Sequence, residues 1–269
     1  MPRAKYLITN GRSPAAGDEW PGAKTMDRII KITLGLLVVI LGATIAYAAF
    51  TGYVATTYEA TKTSTYSYTL DITTDHTLTD ATFFIPVPAD SRGNSPIVSA
   101  YSAKVMPGMF ESWQATLFDT GKATLLKIQV PLLTVPAGYG PDNPYTISIE
   151  AELPSKTTID TVNPVEASPV YGTIHDLKKV SCTGSVAGSP ECFTFTTSLY
   201  TDYTADPDTA LTINSALTGT NLWTVFEPKS NEYSTGISVL MHGENHGWTT
   251  AKGTLIKNIG SYDYPFTLP

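Results

Sequence analysis

One long apolar segment near the N-terminus stands apart from the rest of the chain. Residues 32–50 read ITLGLLVVILGATIAYAAF, and no charged residue occurs between Lys31 and Glu59. As a helix rising about 1.5 Å per residue, this segment spans roughly 28 Å, which matches the hydrocarbon core of a bilayer. Tyrosine and phenylalanine cluster at its C-terminal end, where aromatic rings favour the headgroup layer. The pattern predicts a transmembrane helix over residues 29–54.

Beyond residue 60 the dominant pattern is a strict alternation of apolar and polar positions. In residues 66–72 the side chains of Tyr66, Tyr68, Leu70 and Ile72 share one face, and residues 145–153 repeat the scheme. Such alternation is typical of a half-buried strand. Similar patterns predict about ten strands in all, the others at residues 81–87, 97–104, 113–119, 124–130, 193–200, 210–226, 236–241, 248–250 and 254–259.

These elements predict a mainly β protein, with the transmembrane helix followed by an antiparallel β-sandwich ectodomain. The predicted organisation is a disordered cytoplasmic tail (1–28), the helix as a signal anchor (29–54), a first β-sandwich region (55–153), a linker or crossover (154–170) and a second β-sandwich region (171–269). Two tandem sandwiches and one composite sandwich fit the sequence equally well. Pro86 and Pro88 lack an amide hydrogen, so the strand that carries them is predicted at a sheet edge.

The charge distribution predicts which side of the membrane each part occupies. The chain has 17 Lys and Arg against 24 Asp and Glu, and this acidic balance excludes the basic footprint of a nucleic-acid partner. Residues 1–31 carry six basic and three acidic side chains, and basic residues beside a membrane helix stay in the cytoplasm. The N-terminus is therefore predicted in the cytoplasm and the C-terminal region outside, at the cell membrane.

A cleaved signal peptide is the main alternative to the anchor. If translation starts at Met26 rather than Met1, a short basic segment precedes the apolar stretch, and Ala46-Tyr47-Ala48 matches an A-x-A cleavage site. The mature protein would then be secreted.

Small residues recur on one face of the predicted helix. Gly35, Gly42, Ala46 and Ala49 would allow a second helix to approach closely, so self-association or contact with other envelope proteins is one interpretation. The other is that Gly and Ala are simply common in membrane helices.

Two cysteines flank a short, turn-forming loop. Cys182 and Cys192 are separated by small residues and lie just before a predicted strand. Outside the membrane their thiols can oxidise, so the sequence predicts a disulfide.

Two residue clusters are candidate metal sites. In the sequence MHGENHGW, a three-residue loop of residues 243–245 would place His242 opposite His246, with Glu244 as a third ligand for a transition metal. Asp202, Asp206 and Asp208 crowd one loop and are candidate calcium ligands. In both cases ordinary exposed turn chemistry explains the same residues.

Motifs of enzymes are absent from the sequence. There is no G-x-S-x-G, no P-loop and no G-x-G-x-x-G, so neither catalytic residues nor a cofactor is predicted. Trp113, Trp223 and Trp248 either stack on a carbohydrate or belong to the core.

The run TDATFFIPVP at residues 79–88, together with Gly247, Trp248, Gly253, Gly260 and Tyr262, resembles membrane-anchored archaeal surface proteins of unassigned function. The resemblance implies a β-rich ectodomain and assigns no functional residue. We expect a single-pass cell-surface protein with a structural or interaction role at the envelope. The alternatives are an extracytoplasmic ligand- or metal-binding module and a surface hydrolase.

Overall fold

The computed structural model describes residues 22–102, 113–120, 123–171, 177–183 and 187–262, with side chains from residue 27 onward. The chain divides into two compact units, residues 1–53 and 54–269. Most of the predicted tail lies outside the described residues. Residues 22–28, however, are helical, so the tail prediction is wrong there.

Helix α1 spans Gly22–Thr61 and is longer than predicted at both ends. Up to Tyr53 its large apolar side chains are between 53% and 71% exposed. By length and composition the part Asp27–Thr61 can cross a membrane, although an N-terminal signal sequence would pass the same test. These exposed side chains are Ile29, Ile30, Ile32, Leu34, Leu36, Leu37, Val38, Val39, Ile40, Leu41, Ile45, Tyr47, Phe50 and Tyr53.

The second unit, here called the β domain, consists mainly of strands, which confirms the mainly β prediction. The described residues of this unit form ten strands: β1 (Thr63–Thr74), β2 (Leu78–Pro86), β3 (Gln114–Asp119), β4 (Thr124–Leu133), β5 (Tyr145–Pro154), β6 (Lys178–Val180), β7 (Gly188–Thr204), β8 (Ala210–Thr224), β9 (Pro228–His242) and β10 (Asn245–Gly260). Two short helices, α2 (Pro96–Ser102) and α3 (Pro164–Ala167), interrupt them.

All the described strands belong to one curled antiparallel sheet. Its order is β3-β4-β2-β7-β10-β9-β8-β1-β5, and β6 pairs with β7. Strands from before and after residues 154–170 are direct neighbours, because β1 pairs with β8 and β2 pairs with β7. Of the two arrangements that fit the sequence, the pairing supports one composite β domain, in which residues 154–170 are a crossover.

The sheet opens between β9 and β10 at one end. These two strands pair over only part of their length, between the pair Ser238–Lys252 and the pair Asn231–Gly260. Beyond that point β9 stays with β8 up to His242 opposite Ala210, whereas β10 stays with β7 up to Asn245 opposite Tyr203. The separation allows the sheet to curl around its core.

The core lies on the concave face, where the inward positions of the alternating strands meet. It is built mainly from branched aliphatic side chains with a few tyrosines, as expected for a sheet with one buried face. Its largest fully buried side chains are Tyr68, Tyr203, Tyr233, Phe83, Leu70, Ile72, Leu78, Ile85, Ile97, Leu126, Ile128 and Ile149.

The predicted strand at residues 97–104 is wrong, because this segment begins with helix α2. Ser95 accepts a hydrogen bond on its side-chain oxygen from the backbone N–H of Ile97 at 3.2 Å, and Pro96 takes the first helical position. A Ser cap followed by Pro is a strong helix start. Ile97 is fully buried and Ala100 nearly so, which fixes the helix on the core.

The predicted edge position of the proline-containing strand is also wrong. Strand β2 lies between β4 and β7. It tolerates Pro86 because its pairing with β7 has already ended at Phe84 opposite Tyr200.

The last helical residues of α1 belong to the β domain and pack on the end of β8. Val54 is buried, and the Tyr58 ring meets the buried Trp223 ring edge-on, with centroids 5.8 Å apart. The Thr61 hydroxyl donates to the Thr224 carbonyl at 2.8 Å, and the Thr224 N–H donates back to the hydroxyl oxygen at 3.0 Å. These contacts order the start of the β domain.

Candidate functional site

The turn between β9 and β10 does not bring the two predicted metal-binding histidines together. The connection is Gly243-Glu244 rather than residues 243–245, and no ladder pairing places His242 opposite His246. His242 is opposite Ala210, whereas His246 is opposite Asp202. The predicted facing pair is therefore wrong, because the two strands separate before they reach the turn.

His246 is held by two carboxylates instead. Its Nδ1 lies 2.7 Å from Oδ1 of Asp202, and its Nε2 lies 3.7 Å from Oε2 of Glu244. The hydrogen bond to Asp202 raises the pKa of His246; slight burial opposes this, and the negative charges of Asp202 and Glu244 add to it. With both ring nitrogens facing carboxylates, the arrangement is that of an ion pair.

The loop aspartates are likewise divided between different neighbours. Asp202 binds His246, whereas Asp206 and Asp208 lie in the turn between β7 and β8, where their charges help raise the pKa of His76. The larger cause of that raised pKa is the hydrogen bond between His76 and Asp75, 2.9 Å long. Among the residues that the structure describes, no group of three or more His, Cys, Asp or Glu side chains is arranged to hold a metal ion.

The two cysteines lie at bonding distance, which fits the predicted disulfide. Cys182 and Cys192 have Cα atoms 5.2 Å apart, at the start of β7. Next to them Glu191 binds Lys179 of β6 at 2.5 Å and Lys257 of β10 at 3.0 Å. These two hydrogen-bonded cations lower the pKa of Glu191 to about 2.

The three tryptophans considered above occupy two kinds of environment. Trp113 and Trp223 are 8% and 5% exposed and belong to the core, whereas Trp248 is 63% exposed. Trp248 lies on the convex face of β10, because its alternating position points away from the buried Ala251 and Gly253. Of these three tryptophans, Trp248 is the one that is exposed and placed to meet a ligand.

Trp248 ends a line of four aromatic rings that crosses the convex face of the sheet. This aromatic row consists of Phe118 on β3, Phe84 on β2, Tyr200 on β7 and Trp248 on β10. Neighbouring ring centroids are 5.7, 5.6 and 5.6 Å apart, and each pair meets edge to face. Lys127 lies opposite Phe84 and places Nζ 5.6 Å from its ring centroid.

A cavity of about 850 Å³ runs beside the aromatic row. Residues near each ring line it: Pro86 two positions after Phe84, Thr120 two after Phe118, and Ser198 two before Tyr200, together with Trp248 itself. Residues 89–93, 119–120, 123–125, 165 and 170–171 complete its walls. We call this space the side cavity; of the four rings in the aromatic row, Trp248 is the one that lines it.

The charged residues that line the side cavity are few and nearly balanced: Asp90, Asp119 and Arg92. Asp90 shapes its own loop, because Oδ1 accepts the backbone N–H groups of Arg92 and Asn94, both at 2.8 Å. Burial alone would raise the pKa of Asp90, but hydrogen bonds from Asn94 and Arg92 lower it. Asp90 is thus an ionised structural group, while the Arg92 side chain is 80% exposed.

The inner wall of the side cavity is held by a chain of hydroxyl groups. The Tyr171 hydroxyl lies 2.6 Å from Oγ of Ser215, which donates to the Tyr68 hydroxyl at 3.1 Å. Burial raises the pKa of Tyr68 to about 12 and raises the pKa of Tyr171 as well. Both phenols therefore stay neutral, and they serve to position the wall.

Sequence reasoning missed the aromatic row, although one signal for it was present. Tyr200 and Trp248 occupy positions that alternate with buried residues, so each could be placed on an exposed face. The register that sets Phe84 opposite Tyr200, and Tyr200 opposite Trp248, follows from long-range pairing. No local pattern contains that register.

Comparisons with family models, with curated proteins and with solved structures found no match to this chain.

Proposed function

We propose that this protein is anchored in a membrane by α1 and presents its β domain outside the cell, in a structural or interaction role at the envelope. The observation that carries the proposal is the apolar surface of α1. From Ile29 to Tyr53 every large apolar side chain is more than half exposed. Exposed to water, such a surface would be strongly unfavourable, whereas lipid accommodates it.

The polar groups of α1 are consistent with a lipid environment. The hydroxyls of Thr33, Thr44 and Thr51 donate to backbone carbonyls three or four residues earlier in the same helix, at 2.9–3.1 Å. In a bilayer core, where no water competes, polar groups must be satisfied within the segment itself.

Sidedness is supported by charge and by the cysteines. The six basic residues before residue 32 favour a cytoplasmic N-terminus. The sulfur atoms of Cys182 and Cys192 lie at bonding distance, and disulfides persist in oxidising compartments outside the cytoplasm. Both observations favour a β domain on the outer side.

Extraction of membranes with alkaline carbonate tests the anchor. We expect the parent chain in the membrane pellet, with residues 29–54 still present by mass spectrometry. The double variant Leu37→Arg/Leu41→Arg should move to the supernatant, because each central Arg costs about 2.5–3.5 kcal/mol of insertion free energy.

The matched control is Leu240→Arg on β9, since Leu240 and Leu37 are both 59% exposed. This control should stay in the pellet. A soluble parent chain, or loss of residues 29–54 from the mature protein, would contradict the anchor; the second result would support secretion after cleavage.

One alternative, a ligand-binding module, is favoured by a specific observation. The side cavity has a volume of about 850 Å³, within the range typical of sites for small ligands. The two roles are compatible, because an interaction module at the envelope can act by binding a ligand.

A further inference from the structure

We infer that the side cavity and the aromatic row together form a binding site for a neutral oligosaccharide. Sugar rings combine apolar C–H faces with hydroxyl edges, so they need aromatic surface and hydrogen-bonding groups side by side. The structure brings these two kinds of surface together at one residue. Trp248 belongs to both, because it ends the aromatic row and also lines the cavity.

The aromatic row supplies the stacking surface. Trp248 and Phe118, at its two ends, are 63% and 50% exposed, which is unusual for rings on a folded sheet. Tyr200 and Phe84 are only partly buried and hold the end rings through edge contacts. The end rings are therefore fixed in place before a ligand arrives, which reduces the entropy cost of binding.

The side cavity supplies the polar contacts. Ser198 and the exposed guanidinium of Arg92 line it. These groups offer hydroxyls and N–H donors of the kind that pair with sugar hydroxyls.

The balance of charge favours an uncharged ligand. Two carboxylates and one guanidinium line the cavity, and Lys127 lies beside Phe84 of the row, so the site has no excess of either charge to attract a charged ligand. A divalent cation is disfavoured because Asp90 already accepts hydrogen bonds from its own loop. An extended peptide is disfavoured because the rings lie on a sheet face, whereas strand addition needs an edge.

This inference rests on the proposed function in one respect: the β domain must lie outside the cell for a polysaccharide to reach it. Binding is measured on the purified full chain in lipid nanodiscs, which avoids the sugar headgroups of common detergents. A failure to bind would therefore leave the location of the β domain untouched, and a cytoplasmic location would leave the binding result untouched.

The test is a titration with cellohexaose, chitohexaose, xylohexaose and mannohexaose, followed by calorimetry and by tryptophan fluorescence. We expect at least one of them to bind and to shift the emission of the exposed Trp248. Trp248→Ala should weaken that binding about tenfold or more, the equivalent of one lost stacking contact. Arg92→Ala should weaken it while leaving the fluorescence of the free protein unchanged.

Phe226→Ala is the matched control, because Phe226 is an aromatic residue 71% exposed in the turn between β8 and β9. It should bind like the parent. The inference is overturned if none of the four sugars binds, or if Trp248→Ala binds as tightly as Phe226→Ala. It is also overturned if Trp248→Ala changes only the self-association of the chain in sedimentation, since the row would then be a contact between copies.

Discussion

Asn221 on β8 shows how much of the β domain depends on one buried polar side chain. Its Oδ1 accepts the Ser64 hydroxyl at 2.6 Å and the Ile159 N–H at 3.0 Å. Its Nδ2 donates to the Ile159 carbonyl at 2.9 Å and to the Asn231 side-chain oxygen at 2.8 Å. One amide thus joins the crossover to three neighbouring strands.

Replacing Asn221 should therefore be costly. We expect Asn221→Ala to lower the free energy of unfolding by about 3 kcal/mol, because it leaves the buried N–H and carbonyl of Ile159 unpaired. Chemical denaturation of the full chain in nanodiscs measures this. Asn214→Ala on the same strand is the control, since its hydrogen bond to Ser238 is exposed and should matter by less than about 1 kcal/mol. Equal losses would show that the buried network is not the cause.

The ion pair of His246 makes a pH-dependent contribution to the free energy of unfolding. Its pKa is raised in the folded protein by the hydrogen bond to Asp202. The stabilisation is therefore complete below the unfolded pKa of about 6.5 and is lost as the pH rises through the higher folded value.

We expect the free energy of unfolding of the parent to fall between about pH 6 and about pH 8 more steeply than that of His246→Gln. The pKa of His76 is also raised, by its hydrogen bond to Asp75, so His76 contributes a pH dependence of the same sign that remains in the variant. Denaturation curves across this pH range give both slopes, with His242→Gln as a control at the same turn. Parallel curves for parent and His246→Gln would rule out the linkage.

Single residues were also where prediction from sequence was weakest. The sequence correctly indicates that Cys182 and Cys192 can pair, because ten positions of turn-forming chain bring them together. It does not indicate that His246 pairs with Asp202, since that contact depends on the register of β10 against β7. A local sequence pattern indicates which side chains share a face and where turns lie. It does not indicate the register between strands that are far apart in sequence.

At the scale of elements, alternation predicted most strands because each has one face on the core. It failed at α2, where Ser95 and Pro96 favour a helix start and outweigh the apolar run that follows. It also could not place the bulges at Asp80 and Asn258, whose backbones adopt φ of 52° and 60°. Such irregularities depend on how the whole sheet curls.

The hairpin closed by Cys182 and Cys192 gives the prediction at this scale. Replacing both by Ser should lower the free energy of unfolding by about 3 kcal/mol, the chain-entropy cost of releasing a short loop. Denaturation with and without reductant measures this, because reductant should lower the stability of the parent to that of the variant. A parent chain insensitive to reductant, with two titratable thiols, would contradict the disulfide.

At the scale of the whole molecule, the sequence distinguishes an apolar helix from a β domain but not one domain from two. The apolar helix and the charge on either side of it depend on residues that are neighbours in the sequence, so both can be recognised without a structure. The pairings of β1 with β8 and of β2 with β7 join residues far apart in sequence, and they show that residues 154–170 connect strands of one sheet.

Protease added to intact cells tests the central claim, a β domain outside a membrane-anchored helix, most directly. With a tag at each end of the full chain, we predict that the C-terminal tag is lost while the N-terminal tag stays on a short, protected fragment that includes residues 29–54. Proteolysis of inverted vesicles should remove the N-terminal tag instead. A C-terminal tag protected in intact cells and digested in inverted vesicles would contradict the account.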